Sequence, residues 1–135
     1  MAAKMEEKQL PGVTVDSDYQ LMIEDAAGMK DYDVVIFADA DLNGPEPFHF
    51  TRIKPLEEIS FSTHSLTPES LLGLARKHFG SSTEGFALGI RGYDFDDFGE
   101  DLSEKAESNL KEAVNFVEKL VATSNYEEAE KEFSK

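Results

Sequence analysis

Five consecutive apolar residues, Val34-Val35-Ile36-Phe37-Ala38, stand between two acids, Asp33 and Asp39. Three of the five are β-branched, and a run of this kind leaves no face for solvent. It reads as a strand buried on both faces, which belongs to a parallel sheet covered by helices and so to an α/β fold. An acid directly after such a run stands at the carboxyl end of the strand, where open α/β sheets place their ligands. Asp39 is therefore the first candidate for a functional residue. The plainer alternative is a carboxylate that caps the following turn.

The rest of the chain supplies helices to cover such a strand. Residues 2–10 are expected to form a short helix stopped by Pro11-Gly12, followed by a brief β-prone run, Val13-Thr14-Val15. Asp16, Ser17 and Asp18 offer N-caps for a helix over about 18–30. Asn43-Gly44-Pro45-Glu46-Pro47 is a turn cluster, and Phe48, Phe50 and Ile53 suggest a second strand. Thr67-Pro68-Glu69 opens a helix, with Thr67 as cap and Pro68 in the first turn, and Gly80 closes it. Phe86-Ala87-Leu88-Gly89-Ile90 reads as a further buried strand closing at Arg91-Gly92. Ser103 caps the longest helix, whose stripe Ala106, Leu110, Ala113/Val114, Val117 and Val121 keeps helical spacing. Residues 1–135 are expected to form one domain, with 123–135 a short, loosely docked helical tail.

Composition narrows the classes of function. A net charge of −15 argues against nucleic-acid binding, which needs a cationic footprint. No stretch approaches the roughly 20 apolar residues of a membrane span, and no export signal is visible at the start. With no cysteine there is no disulfide, thiolate nucleophile or Cys-ligated zinc. The expected compartment is the cytoplasm.

The chemistry-bearing residues are few. His64 lies in Phe61-Ser62-Thr63-His64-Ser65-Leu66-Thr67-Pro68, in a loop just before a helix N-terminus. If that loop meets Asp39, an imidazole and a carboxylate make a partial shell for nickel or zinc. Nucleophilic catalysis by Ser62 or Ser65 has little support, because no Gly-x-Ser-x-Gly elbow exists and serines next to His64 in sequence do not easily face its ring. His49, on a strand, and His78, near a helix C-terminus, are weaker candidates. The acidic stretch Asp94, Asp96, Asp97, Glu100 and Asp101 lacks the EF-hand spacing and reads as a solvated loop.

Taken in order, four segments resemble the hydrogenase maturation protease family. They are Tyr32-Asp33-Val34-Val35-Ile36-Phe37-Ala38-Asp39-Ala40, Ser62-Thr63-His64-Ser65-Leu66-Thr67-Pro68-Glu69, Gly89-Ile90-Arg91-Gly92-Tyr93, and Leu102-Ser103 with Asn109-Leu110. The resemblance implies a three-layer α/β fold of the phosphorylase/hydrolase-like kind, with a twisted, mainly parallel sheet flanked by helices. It implies an endopeptidase that removes the C-terminal extension of the nickel–iron hydrogenase large-subunit precursor. Nickel is then recognised on the substrate rather than permanently bound. Asp39 and His64 resemble the family's Asp and His ligands and are the expected metal-binding and catalytic residues. The family's first strand, and the acidic motif that supplies its Glu ligand, have no counterpart here. The chain thus reads as an N-terminally shortened relative in which Glu24 or Asp16 is the substitute on offer. Either the strands flanking the gap pair directly or a homodimer fills it. The alternative function is a non-catalytic binding module for a hydrogenase subunit, and a flavodoxin-like module for another small ligand is a third.

Overall fold

A computed structural model describes residues 5, 10, 12–15, 23–29, 31–56, 67–93 and 103–134 of the chain. Their elements run α1 (Ile23–Met29), β1 (Val34–Asp41), β2 (Phe48–Arg52), α2 (Pro68–Phe79), β3 (Glu84–Arg91), α3 (Glu104–Thr123) and α4 (Tyr126–Phe133). The class is α/β. The three strands lie in the order β1-β3-β2. Glu84 donates its backbone N–H to Asp33, and Gly92 to Asp41, so β1 and β3 ascend together and are parallel. Ile53 donates to Gly85, and Arg91 to Pro47, so β2 runs antiparallel to β3. The sheet is small and mixed.

Two expectations are corrected here. The apolar run is a strand, but β1 lies at the edge of the described sheet and is not buried on both faces. Val34 to Phe37 are half-buried, and Ala38, Asp39 and Ala40 are exposed. The central place belongs to β3, where Gly85, Phe86, Leu88, Gly89 and Ile90 are all buried. An apolar run reports hydrophobicity on both sides of a strand, and it says nothing about which strand has two hydrogen-bonded neighbours. Val13-Thr14-Val15 forms no strand.

The chain divides into two compact units, one of Asp18–Phe37 and Arg52–Ala87, the other of Met1–Ser17, Ala38–Thr51 and Leu88–Lys135. In the first, α1 and α2 bury Ala26, Met29, Leu71, Leu72, Leu74 and Ala75 with Ile53, against Val35, Phe37 and Ala87. The caps of α2 are those its sequence promises. Thr67 Oγ1 accepts from the Ser70 N–H, Ser70 Oγ accepts from the Thr67 N–H, and Gly80 closes the helix in the left-handed region at φ 63°. Buried Thr83 sits with its hydroxyl 2.5 Å from the Met29 carbonyl and 2.6 Å from that of Tyr32. Its single proton serves the two oxygens, holding the end of α1 to the start of β1.

In the second unit Ser103 caps α3 through the Ala106 N–H, and the helix buries Ala106, Leu110, Ala113, Val114, Val117 and Leu120. Phe116 of α3 lies 4.7 Å from Phe48 and 5.3 Å from Phe50 between ring centroids. Phe133 of α4 completes the cluster at 5.1 Å from Phe48 and 5.0 Å from Phe116. These are separations at which aromatic rings attract. Phe133 attaches the C-terminal helix to this cluster, and Ala129, one turn earlier, is buried.

Candidate functional site

Asp39 stands near the carboxyl end of β1, as the sequence requires, with an exposed side chain. Its Oδ1 accepts the N–H of Ala40 at 2.8 Å. That bond has a topological reason. Asp33 and Asp41 point their carbonyls at β3, so the residues of opposite parity, Ala40 among them, direct their backbone groups away from it. The Asp39 carboxylate thus satisfies an edge N–H within the strand, and the following turn is capped by Asp41 instead. His64, Ser62, Ser65, Asp16 and the acids of 94–101 lie outside the described residues. Glu24 lies in α1 and its side chain is likewise outside them. His78 is exposed in the last turn of α2.

Two residues beyond Asp39 is a pairing that sequence reasoning missed. His49, on β2, reaches over the central strand to Asp41 at the end of β1, and its Nε2–H donates to Asp41 Oδ2 at 2.9 Å. The reach is open because the residue of β3 beneath the ring is glycine. A Cβ on Gly89 would stand 2.0 Å from Nε2 and 2.7 Å from both Cδ2 and Cε1. A Cβ on Gly44 would stand 2.5 Å from Asp41 Oδ2 and 3.2 Å from His49 Cδ2. Gly44 follows a tight turn in which Asp41 Oδ1 accepts the Asn43 N–H. Two missing side chains therefore make the cradle in which the pair sits.

The pairing fixes the tautomer. An ionised carboxylate only accepts, so Nε2 carries a proton, and in the neutral ring the lone pair is on Nδ1. His49 is 9 % exposed, and its Nδ1 is buried and meets no hydrogen-bond partner among the described residues. A second polar group lies at the ends of the same strands. Arg91 donates to the carbonyls of Gly44 at 2.6 Å and Gly92 at 3.0 Å, with its guanidinium 4.9 Å from the centre of the Tyr93 ring. Tyr93 donates its hydroxyl to Glu46 at 2.6 Å and accepts from Asn109 Nδ2 at 3.1 Å. The same Asn109 nitrogen donates to the Arg91 carbonyl. The bond to the Glu46 carboxylate, then desolvation, raises the Tyr93 pKa above the usual 10.0, because losing the proton would place two anions together.

The only signal for the pair in the sequence was a histidine alternating with the phenylalanines of one strand and a glycine within another. Strand pairing is needed to see that they meet. Among the described residues no group of three His, Asp or Glu side chains is placed to hold a metal ion, and no helix is long and apolar enough to cross a membrane. No family model, curated protein or solved structure matches the chain.

Proposed function

We propose that the chain is a hydrogenase-maturation-protease-like domain, acting on the large-subunit precursor of a nickel–iron hydrogenase. It removes the precursor's C-terminal extension by hydrolysis of a peptide bond. Its finer architecture, in this reading, is the three-layer fold of that family in shortened form. One observation carries the proposal: an exposed carboxylate, Asp39, stands at the carboxyl end of a strand that runs parallel to its neighbour, within the motif that resembles the family's ligand strand. Oδ1 is steadied by the Ala40 N–H, which fixes the plane of the carboxylate and leaves Oδ2 to meet an incoming cation. His64 supplies the imidazole. Nickel arrives as cargo of the precursor and supplies Lewis acidity to the adjacent carbonyl or water.

The test is proteolysis of nickel-loaded large-subunit precursor, followed by intact mass. Loss of the C-terminal extension, abolished by Asp39→Asn and by His64→Gln, is the expected result. A precursor of unchanged mass overturns the catalytic reading. A complex that persists with His64→Ala while the mass stays unchanged instead supports the non-catalytic binding module.

A further inference from the structure

We propose that the outer edge of β1 at Ala38–Asp41 docks the peptide to be cut: the precursor's chain adds there as a short further strand, and its pairing ends at the Asp39 carboxylate. The inference rests on the reading that Asp39 meets such a precursor.

The edge is open at this end of β1. β1 is an outer strand of the described sheet, with β3 as its one neighbour there. Asp41 turns its carbonyl to Gly92, so Ala38 and Ala40, of opposite parity, direct their backbone groups away from β3. Ala38, Asp39 and Ala40 are all exposed. Alanine is depleted in strands, where larger side chains fill the pleated surface better. Two alanines flanking Asp39 put no bulk beside the outward peptide groups.

Asp39 sets where an added strand must stop. Unpaired strand edges invite other chains, and proteins protect them. Here Asp39 Oδ1 already holds the Ala40 N–H at 2.8 Å. Ala38 is left to offer both its N–H and its C=O, as a strand residue does to a neighbour. A ladder begun at Ala38 therefore ends one step later. The next peptide group of the added chain comes beside a carboxylate instead of a backbone donor, which is where a bond to be hydrolysed has to lie.

Charge selects the occupant. A second copy of the chain, itself at −15, would bring its own Asp39 and Asp41 to the same edge. Like charges opposite one another across a strand pair are destabilising. A peptide that arrives with a metal cation meets the same acids with the opposite sign. Main-chain bonds supply affinity in such strand addition whatever the peptide's side chains.

The experiment is backbone amide hydrogen exchange, read by nuclear magnetic resonance on the full chain, alone and with nickel-loaded large-subunit precursor. In the complex the Ala38 amide should exchange about 10-fold more slowly or less readily still. Ala38→Pro removes the outward N–H and leaves the bonds to β3 in place, a change edge strands tolerate. It should weaken precursor binding about 10-fold, through the lost donor and the ring set in the added strand's path. Amide dispersion shows whether that variant is folded, and if it is not, exchange in the wild-type complex decides. A complex in which Ala38 exchanges as fast as in the free chain overturns the inference and leaves the proposed function standing, as does a folded Ala38→Pro chain that binds with undiminished affinity. No complex at all overturns both. Protection of Ala38 that grows with the concentration of this chain alone makes a second copy the occupant and overturns the inference.

Discussion

Gly89→Ala is the sharpest perturbation the structure offers, because one methyl tests the whole Asp41–His49 arrangement. The added carbon would stand 2.0 Å from Nε2, with two further ring atoms at 2.7 Å. Non-bonded carbon and nitrogen do not approach so closely, and the ring must leave. Its departure breaks a hydrogen bond to a charged acceptor, worth about 1.5–3 kcal/mol. Forcing the ring into filled space adds about 1–3 kcal/mol of overpacking. Replacing glycine returns about 0.4–1 kcal/mol through the unfolded chain. The net loss should be about 2–5 kcal/mol, read as a lower midpoint in urea unfolding. The same substitution made in a His49→Ala background meets no ring and should cost less than about 0.5 kcal/mol, within the ordinary scatter of additive pairs. The two mutations are then coupled by nearly the whole effect. If Gly89→Ala costs as much without the ring as with it, His49 does not lie over Gly89, and the tautomer argument built on that geometry falls with it.

Four further outcomes follow from the same contacts. In an alkaline titration followed by phenolate absorbance, one of the four tyrosines should ionise above the usual range, and Glu46→Gln should bring it down. Because the folded pKa of Tyr93 is raised, its contribution to stability is full below pH 10, the unfolded value, and is lost as pH climbs through the folded one. Thr67→Ala removes one half of the α2 capping box and should cost about 1 kcal/mol in thermal or urea unfolding. Thr83→Val keeps the shape but takes the donor from two carbonyls and should cost about 1–3 kcal/mol. Phe133→Ala removes a half-buried ring from the aromatic cluster and should cost about 2 kcal/mol, below the 3–5 of a fully buried ring. A change under about 0.5 kcal/mol there would mean that the Phe133 ring adds nothing to the cluster.

The elements legible in the sequence were those set by local chemistry. Thr67, Pro68 and Gly80 bound α2, and Ser103 begins α3, because caps satisfy backbone groups within a few residues of themselves. The aromatic positions Phe48 and Phe50 mark β2, although both pack on Phe116, far later in the chain. What the local pattern could not rank was the sheet. Val34–Ala38 is the more uniformly apolar run, yet the centre falls to β3, whose two glycines lower its apparent hydrophobicity. Glycine in a strand weakens it in isolation and serves where another group must pass close by. At Gly89 the group that passes is the ring of His49.

The same reason explains why the candidate site was half legible. Asp39 could be found because its meaning is local: an acid after an apolar strand stands at the strand end wherever that strand lies. His49 could not, because its meaning depends on three segments at once: the strand that carries it, the glycine under it and the acid beyond. Read along the chain it is one histidine between two phenylalanines, and such residues usually belong to the core. In the fold its neighbours Phe48 and Phe50 do go into the core, and alternation turns His49 to the other face, toward Asp41. A buried histidine kept only for packing would be expected to satisfy both ring nitrogens or to be replaced by an apolar residue. This one satisfies Nε2, through a carboxylate made reachable by two absent side chains, and its Nδ1 meets no hydrogen-bond partner among the described residues. The arrangement belongs to the paired strands and to no single segment: a carboxylate on β1, a ring on β2 and a glycine on β3 between them, which is why the chain read in order does not show it.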